Sequence, residues 1–163
     1  MKLQVSLITM CLLFISFSYS QNRLPNVALK GLDGKTVNIA QYNNSEKPVI
    51  LSFWATWCGP CIKELEAINT KYADWQKNYG VELVAVSVDD SKTLSRVRPM
   101  IKSKGWQYKI LLDTNHELKR ILNVANVPYT LILFKGKVMF VHSNYTPGIE
   151  TKIEEELNKI VNK

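Results

Sequence analysis

Two cysteines, Cys58 and Cys61, stand three positions apart where an apolar run gives way to a helix-like pattern. The pattern places both at the N-terminus of a helix, where unpaired N–H groups and the helix dipole favour negative charge. A thiolate is such a charge, and the pKa of a thiol falls from about 8.5 to roughly 3.5–7.5 in such surroundings. Pro60 suits the first helical turn, and Gly59 adds little bulk. Because the thiolate is the nucleophile of disulfide exchange, the spacing predicts redox chemistry.

Two other roles for the pair are a structural disulfide and half of a metal site. The loop closed by the two cysteines is short, so its chain-entropy gain is at most roughly 2 kcal/mol, against about 3 for fifteen residues. A four-ligand zinc site needs two more ligands. The candidates are Cys11, in a segment expected to be removed, and His116 and His142, which are far apart in the sequence. We therefore predict no metal and no cofactor, and we interpret the histidines as a helix-surface and a strand-end residue.

The residues around the pair carry a family resemblance. Trp57-Cys58-Gly59-Pro60-Cys61, preceded by Phe53-Trp54-Ala55, resembles the active site of the thioredoxin superfamily. From Leu24 to Val161 the chain resembles the TlpA/ResA-type extracytoplasmic thiol-disulfide oxidoreductases. We expect Cys58 to be the nucleophile, because it lies nearer to the helix start and should be the more exposed. Cys61 would then resolve the mixed disulfide, so that the two form a redox-active disulfide.

A second resemblance lies at Asn126-Val127-Pro128-Tyr129-Thr130, ahead of an apolar strand. Taken alone, Val-Pro would be an ordinary trans boundary, since only about 5–6% of such bonds are cis. The segment resembles the cis-proline loop of the superfamily, which faces the cysteines. The resemblance implies that Pro128 keeps a backbone N–H and metal-binding side chains away from the sulfurs. It also implies that Val127 offers its backbone to an extended substrate chain.

The predicted substrate-binding residues are Trp57, Gly59, Pro60, Val127 and Pro128. Trp57 would shield the cysteine pair and offer a docking surface. Its alternative role is that of a partly exposed aromatic residue that only packs.

Glu64 falls near the same side of the helix as Cys61 and could accept or donate its proton. It could equally be a solvated partner of the helix dipole, and the spacing alone favours that second role. Classical thioredoxins carry a buried aspartate six residues before the first cysteine, where this chain has Ser52. TlpA/ResA-type proteins resemble this chain in having a glutamate three residues after the second cysteine, and this resemblance implies a catalytic role for Glu64. In those proteins a proline usually follows soon after the glutamate, whereas this chain has Leu65-Glu66 there.

Strand-like and helix-like segments alternate around these residues. The predicted elements are a hairpin turning at Asp33-Gly34, a buried strand 49–53, a helix from Gly59 to Gly80, a strand 81–88, a helix ending at Gly105, a strand 108–112, a helix 116–122, a hairpin of strands 129–134 and 137–141, and a last helix from Thr146-Pro147. Pro99 should kink or restart the second helix. Thr146 is expected to cap the last helix, with Pro147 at its first position. Asp89 and Asp90 are expected to be turn and cap residues.

This order predicts an α/β fold with a central mixed sheet flanked by helices. It is also the order of the thioredoxin-like fold, with an N-terminal β-hairpin extension and a strand-helix insertion near residues 81–105. The chain length of 163 residues fits one such domain, and 46% apolar with 21% charged residues is typical of globular proteins.

The first twenty residues predict a signal peptide, with Lys2, an apolar stretch 7–17 and small residues at Ser18 and Ser20. The domain division is therefore 1–20 and 21–163, and the location is periplasmic or otherwise extracytoplasmic. An uncleaved membrane anchor is the alternative, although a spanning helix needs about 20 apolar residues. The formal charge of +7 is spread along the chain without a basic stripe, which argues against nucleic-acid binding.

The sequence thus predicts a thiol-disulfide oxidoreductase that reduces disulfides in client proteins and receives electrons from a membrane thiol donor. We expect a monomer. One alternative is a thiol peroxidase. Peroxiredoxins carry a Thr-x-x-Cys pattern, however, and this chain has Ala55 at the position of that threonine. The other alternative is a partner-binding module in which the thiols are secondary. The sequence identifies neither the client nor the electron donor.

Overall fold

The computed structural model describes residues 23–162, and the predicted signal peptide lies outside them. Its strands are β1 (Ala28–Gly31), β2 (Thr36–Asn38), β3 (Val49–Trp54), β4 (Glu82–Ser87), β5 (Lys109–Leu112), β6 (Tyr129–Phe134) and β7 (Lys137–Ser143). Its α-helices are α1 (Gly59–Tyr79), α2 (Val97–Lys104), α3 (Glu117–Ile121) and α4 (Ile149–Val161). Short 3-10 helices cover Ile39–Asn44 and Leu94–Arg96.

The seven strands form one mixed sheet in the order β2-β1-β5-β4-β3-β6-β7. Strands β3, β4 and β5 are parallel to one another, and the remaining neighbours pair antiparallel. All six residues of β3 are buried, which explains why this strand is nearly continuous in apolar residues. The chain leaves the carboxyl end of this inner strand and turns directly into α1. The cysteines therefore lie just beyond the carboxyl end of β3, away from the edge strands of the sheet.

The predicted N-terminal hairpin is present as β1 and β2. The N–H of Gly31 donates to the carbonyl of Lys35. Gly34 has a φ of 80°, a backbone conformation in which a residue with a side chain would be strained. Strand β1 also pairs antiparallel with β5. The hairpin is therefore continuous with the central sheet.

Helix α1 turns one apolar stripe toward the core. Its buried apolar side chains are Leu65, Ile68, Tyr72 and Trp75, and Ile62 and Tyr79 lie at the margin of the core. The helix ends as predicted at Gly80, whose φ of 65° is left-handed. Helix α4 packs against α1 and presents Ile149, Ile153, Leu157 and Ile160 to the core.

Two other helix boundaries can be compared with the sequence. The predicted restart at Pro99 is found, since a 3-10 turn ends at Arg96 and α2 begins at Val97, which puts the proline in the first helical turn. The predicted start of the last helix is wrong. Thr146 accepts a hydrogen bond from Ile149 through its backbone carbonyl, and Gly148 has φ of 86°. A left-handed turn therefore separates Thr146-Pro147 from the helix, which begins at Ile149.

Among residues 23–162, no helix has the length and apolar character needed to cross a membrane.

Candidate functional site

Cys58 and Cys61 form a disulfide, with their Cα atoms 5.3 Å apart. Cys58 is the N-cap residue of α1, and its Sγ accepts a hydrogen bond from the N–H of Cys61 at 3.2 Å. Cys58 is 6% exposed and Cys61 is 0% exposed, so the greater exposure expected for Cys58 is confirmed, by a small margin. A negative charge formed on the Cys58 sulfur would meet an N–H donor and the positive end of a helix of 21 residues.

The loop before β6 lies against the disulfide. The Val127–Pro128 peptide bond is cis, as the resemblance implied, and the Val127 carbonyl oxygen is 3.7 Å from Cys58 Sγ. Trp57 is 58% exposed beside it, so it presents an apolar surface to solvent. A cavity of about 160 Å³ opens here, lined by Trp57, Val88, His116, Lys119, Ala125, Asn126 and Val127. The structure thus brings together Trp57, Cys58 and Val127, and it leaves Gly59 and Pro60 at the start of α1.

Glu64 lies on the buried side of α1, one turn after Cys61. It is 1% exposed, so the solvated position that its spacing alone favours is wrong. Burial raises the pKa of the Glu64 carboxyl to about 7, against an opposing hydrogen bond from Thr130. Oε1 accepts that bond, whereas Oε2 is buried and has no partner among the described residues. A carboxyl that titrates near neutral pH beside a dithiol can accept and return a proton.

Two hydroxyls for which no role was predicted, those of Ser52 and Thr130, connect Glu64 to the sheet. Thr130 Oγ1 is 2.6 Å from Glu64 Oε1 and 2.9 Å from Ser52 Oγ. Ser52 and Thr130 are directly opposite each other in the β3/β6 pair. The signal available in the sequence was a hydroxyl residue in each of two otherwise apolar strands.

Asp89 corrects another expectation. Asp90 is a turn residue, as predicted, and accepts from the backbone of Lys92. Asp89 instead is fully buried. Its carboxylate accepts from the Thr56 N–H at 2.9 Å, the Thr56 hydroxyl at 2.5 Å and the Ser87 hydroxyl at 2.9 Å. It therefore fastens the segment before Trp57 to the end of β4.

The histidines lie close to where they were predicted. His116 immediately precedes α3, half-buried, and its Nε2 donates to the Val88 carbonyl at 2.9 Å. His142 is near the end of β7, and burial lowers its pKa. Within the described part of the chain, no three His, Cys, Asp or Glu side chains are grouped as metal ligands would be.

Comparison with known proteins gives consistent matches. The model of the AhpC/TSA family matches residues 21–141. The thiol-disulfide oxidoreductase ResA of Bacillus subtilis is 36% identical over 118 residues, which are 72% of this chain and 63% of that protein. ResA of Bacillus thuringiensis subsp. konkukian is 31% identical over 139 residues, 83% of this chain and 75% of that protein. The chain thus spans somewhat less than two thirds of the first relative.

The solved structures agree with the predicted fold. The solution structure of a thioredoxin-like protein from Porphyromonas gingivalis has a TM-score of 0.75 and 42% identity to this chain. The match covers 85% of this chain and 92% of the other. The predicted thioredoxin-like fold is therefore confirmed.

Proposed function

The chain belongs to the AhpC/TSA family and, with its ResA relatives, to the thiol-disulfide oxidoreductases, and on that premise we propose that it reduces disulfides of partner proteins outside the cytoplasm. The observation that carries the proposal is the position of the Cys58–Cys61 disulfide. It lies at a helix N-terminus, against the Val127 carbonyl and one helical turn from a buried carboxyl.

The first step is attack on the client. In the reduced protein, the Cys58 thiolate attacks one sulfur of the client disulfide, so that a Cys58–client bond forms and the client S–S bond breaks. The first client sulfur leaves as a thiolate and takes a proton from solvent. Trp57, Gly59, Pro60, Val127 and Pro128 form the surface on which an extended client segment lies, with the Val127 backbone as its polar contact.

The second step releases the client. Glu64 takes the proton of the Cys61 thiol, and the Cys61 thiolate attacks the Cys58 sulfur. The Cys58–Cys61 disulfide forms, the mixed disulfide breaks, and the second client thiolate leaves. Two electrons have then passed from the protein to the client, whose thiolates take up two protons, the first from solvent and the second, which came from Cys61, from Glu64. A thiol donor in the membrane would return the electrons by the reverse exchange.

The location is part of the same proposal. It is supported by the charged and apolar pattern of residues 1–20, which would direct residues 21–163 out of the cytoplasm as one domain. In intact cells, an alkylating reagent that does not cross the inner membrane should react with the reduced cysteines. If these cysteines react only after lysis, the proposed location is wrong.

The reductive direction is tested by the equilibrium potential of the Cys58/Cys61 pair, measured by thiol trapping in dithiothreitol and glutathione buffers. We expect a value of about −230 mV or lower, which suits a reductant supplied with electrons, whereas about −120 mV would indicate an oxidant. Absence of a reversible two-electron transition would refute the proposal. The double variant C58S/C61S should lose cellular function, and its full retention would favour a binding module.

The peroxidase alternative lacks an observation in its favour. Ala55 lacks the hydroxyl that the Thr-x-x-Cys pattern supplies. The adjacent Thr56 hydroxyl donates to Asp89 and is therefore occupied within the fold. Fast turnover of hydrogen peroxide by the reduced protein would revive this function.

A further inference from the structure

Ser52 and Thr130 form a buried hydroxyl pair that the exchange steps above do not use. We propose that Thr130, oriented by Ser52, is a positioning residue that holds Glu64 Oε1, so that Oε2 is the atom at which this carboxyl exchanges its proton with the Cys61 thiol. This inference rests on the proposed function and deepens it. It assigns a direction to the hydrogen bonds around Glu64 and a single site to its proton.

The direction follows from counting hydrogens. A threonine hydroxyl has one hydrogen to donate, and Thr130 Oγ1 has two partners, at 2.6 Å and 2.9 Å. An ionised carboxylate can only accept, so the hydrogen of Thr130 goes to Glu64 Oε1. Ser52 must then donate its own hydrogen to Thr130 Oγ1. The order is therefore Ser52 to Thr130 to Glu64, and each hydroxyl fixes the rotation of the next.

The sheet makes this arrangement rigid. Ser52 and Thr130 occupy opposite positions in two hydrogen-bonded strands, and both are at most 1% exposed. Because threonine is branched at Cβ, its side chain has few rotamers. The Thr130 hydroxyl therefore stays in place if the longer Glu64 side chain moves, and it anchors that side chain at Oε1. Its other oxygen is buried without a partner in the described residues, as expected for an atom whose partner changes during a reaction.

The surrounding charges do not supply an alternative anchor. On α1, Glu64 is flanked in the sequence by the disulfide-bonded Cys61, by Lys63 and by Glu66, and Glu66 pairs with Lys104. On β7, His142 is opposite Thr130 in the sheet, and Lys152 of α4 acts on it electrostatically. Burial lowers the pKa of His142, which favours its neutral form. None of the ion pairs of residues 23–162 includes Glu64. Hydrogen bonding by Thr130 is the interaction that favours its ionised form.

The test is the titration of Glu64 in the oxidised protein, which holds the Cys58–Cys61 disulfide. It is followed by NMR of the full chain labelled with 13C at the glutamate carboxyls, and E64Q identifies the signal. We expect a midpoint near pH 7 in the wild type, about one pH unit higher in T130V, and near the wild-type value in T130S. S52A should move the midpoint in the same direction by less. H142Q should leave it in place.

The same variants are then compared in the single-turnover reduction of oxidised glutathione between pH 5 and 9. Protonation of the Cys58 thiolate gives an acid limb of its own, which should remain in every variant. The limb whose midpoint coincides with that of the Glu64 carboxyl should be absent in E64Q and should shift in T130V together with the carboxyl midpoint. If E64Q keeps a limb at the Glu64 midpoint, the catalytic role proposed for Glu64 fails, and this inference fails with it. If E64Q removes that limb while T130V leaves both midpoints unchanged, only this inference is overturned. Should T130V not fold, an unchanged midpoint in S52A would overturn it.

Discussion

Replacing Glu64 by glutamine should stabilise the protein at alkaline pH and have little effect in acid. The pKa of this carboxyl rises from an ordinary 4.5 to about 7 in the folded chain. Between these values the folded state binds more protons than the unfolded state. The stability that the group contributes is therefore complete below about pH 4.5 and is lost as pH rises through about 7. At 1.36 kcal/mol per pH unit, the loss is about 3 kcal/mol.

The measurement is urea unfolding of the oxidised wild type and of E64Q at intervals from pH 4.5 to 9. Glutamine keeps the shape of the side chain and an oxygen that accepts from Thr130, so it removes the charge with little other change. The difference in unfolding free energy should grow from near zero to about 3 kcal/mol in favour of E64Q. Titrations common to both proteins cancel in this difference.

Glu66→Gln is the matched control. Glu66 lies on α1 two residues further along and pairs with Lys104 at the surface, so its replacement should change stability by less than about 1 kcal/mol at any pH. A difference between wild type and E64Q that is constant with pH would refute the reasoning. So would a wild type that is the more stable of the two at pH 8.

Three further substitutions distinguish residues that stabilise the fold from residues that take part in disulfide exchange. Asp89→Ala leaves three buried donors of Thr56 and Ser87 without an acceptor, and it should cost about 3–5 kcal/mol in urea unfolding. Leu157→Ala empties a buried position in α4 and should cost about 2–5 kcal/mol while the potential of the disulfide stays unchanged by thiol trapping. Trp57→Ala removes a side chain that is 58% exposed, so unfolding should change by at most about 0.5 kcal/mol while client reduction slows several-fold in a disulfide-exchange assay. A loss of stability in this last variant would contradict its docking role.

The sequence was sufficient for the fold because its signals are local and agree with one another. The apolar run before Cys58, the stripe of α1 and the glycine that ends it each specify an element by its periodicity or its backbone conformation. The alternation of these elements then leaves few possible topologies. The cysteine pair was equally predictable, since its spacing carries the chemistry.

Burial of the acids could not be predicted in the same way. The position of Glu64 on α1 gives its helical face, but its contact with Thr130 joins residues 66 positions apart. That contact depends on the register of β6 beside β3, which no local pattern encodes. Asp89 was misjudged for a related reason, since an Asp-Asp pair after a strand is typical of a turn. The path of the loop before Trp57 gives its carboxylate two of its three buried donors, and Ser87 of β4 gives the third.

The pairing of β3 with β6 has a consequence for protein engineering. Side chains alternate between the two faces of a strand, so a one-residue slip of β6 would turn the Thr130 hydroxyl away from the carboxyl while leaving every motif in the sequence intact. Transplanting the Cys-x-x-Cys-x-x-Glu segment alone into another scaffold would therefore carry over a buried acid without its support. A functional graft must move Ser52 of β3, the segment from Cys58 to Glu64, and Thr130 of β6 together, and it must preserve the register of β6 beside β3.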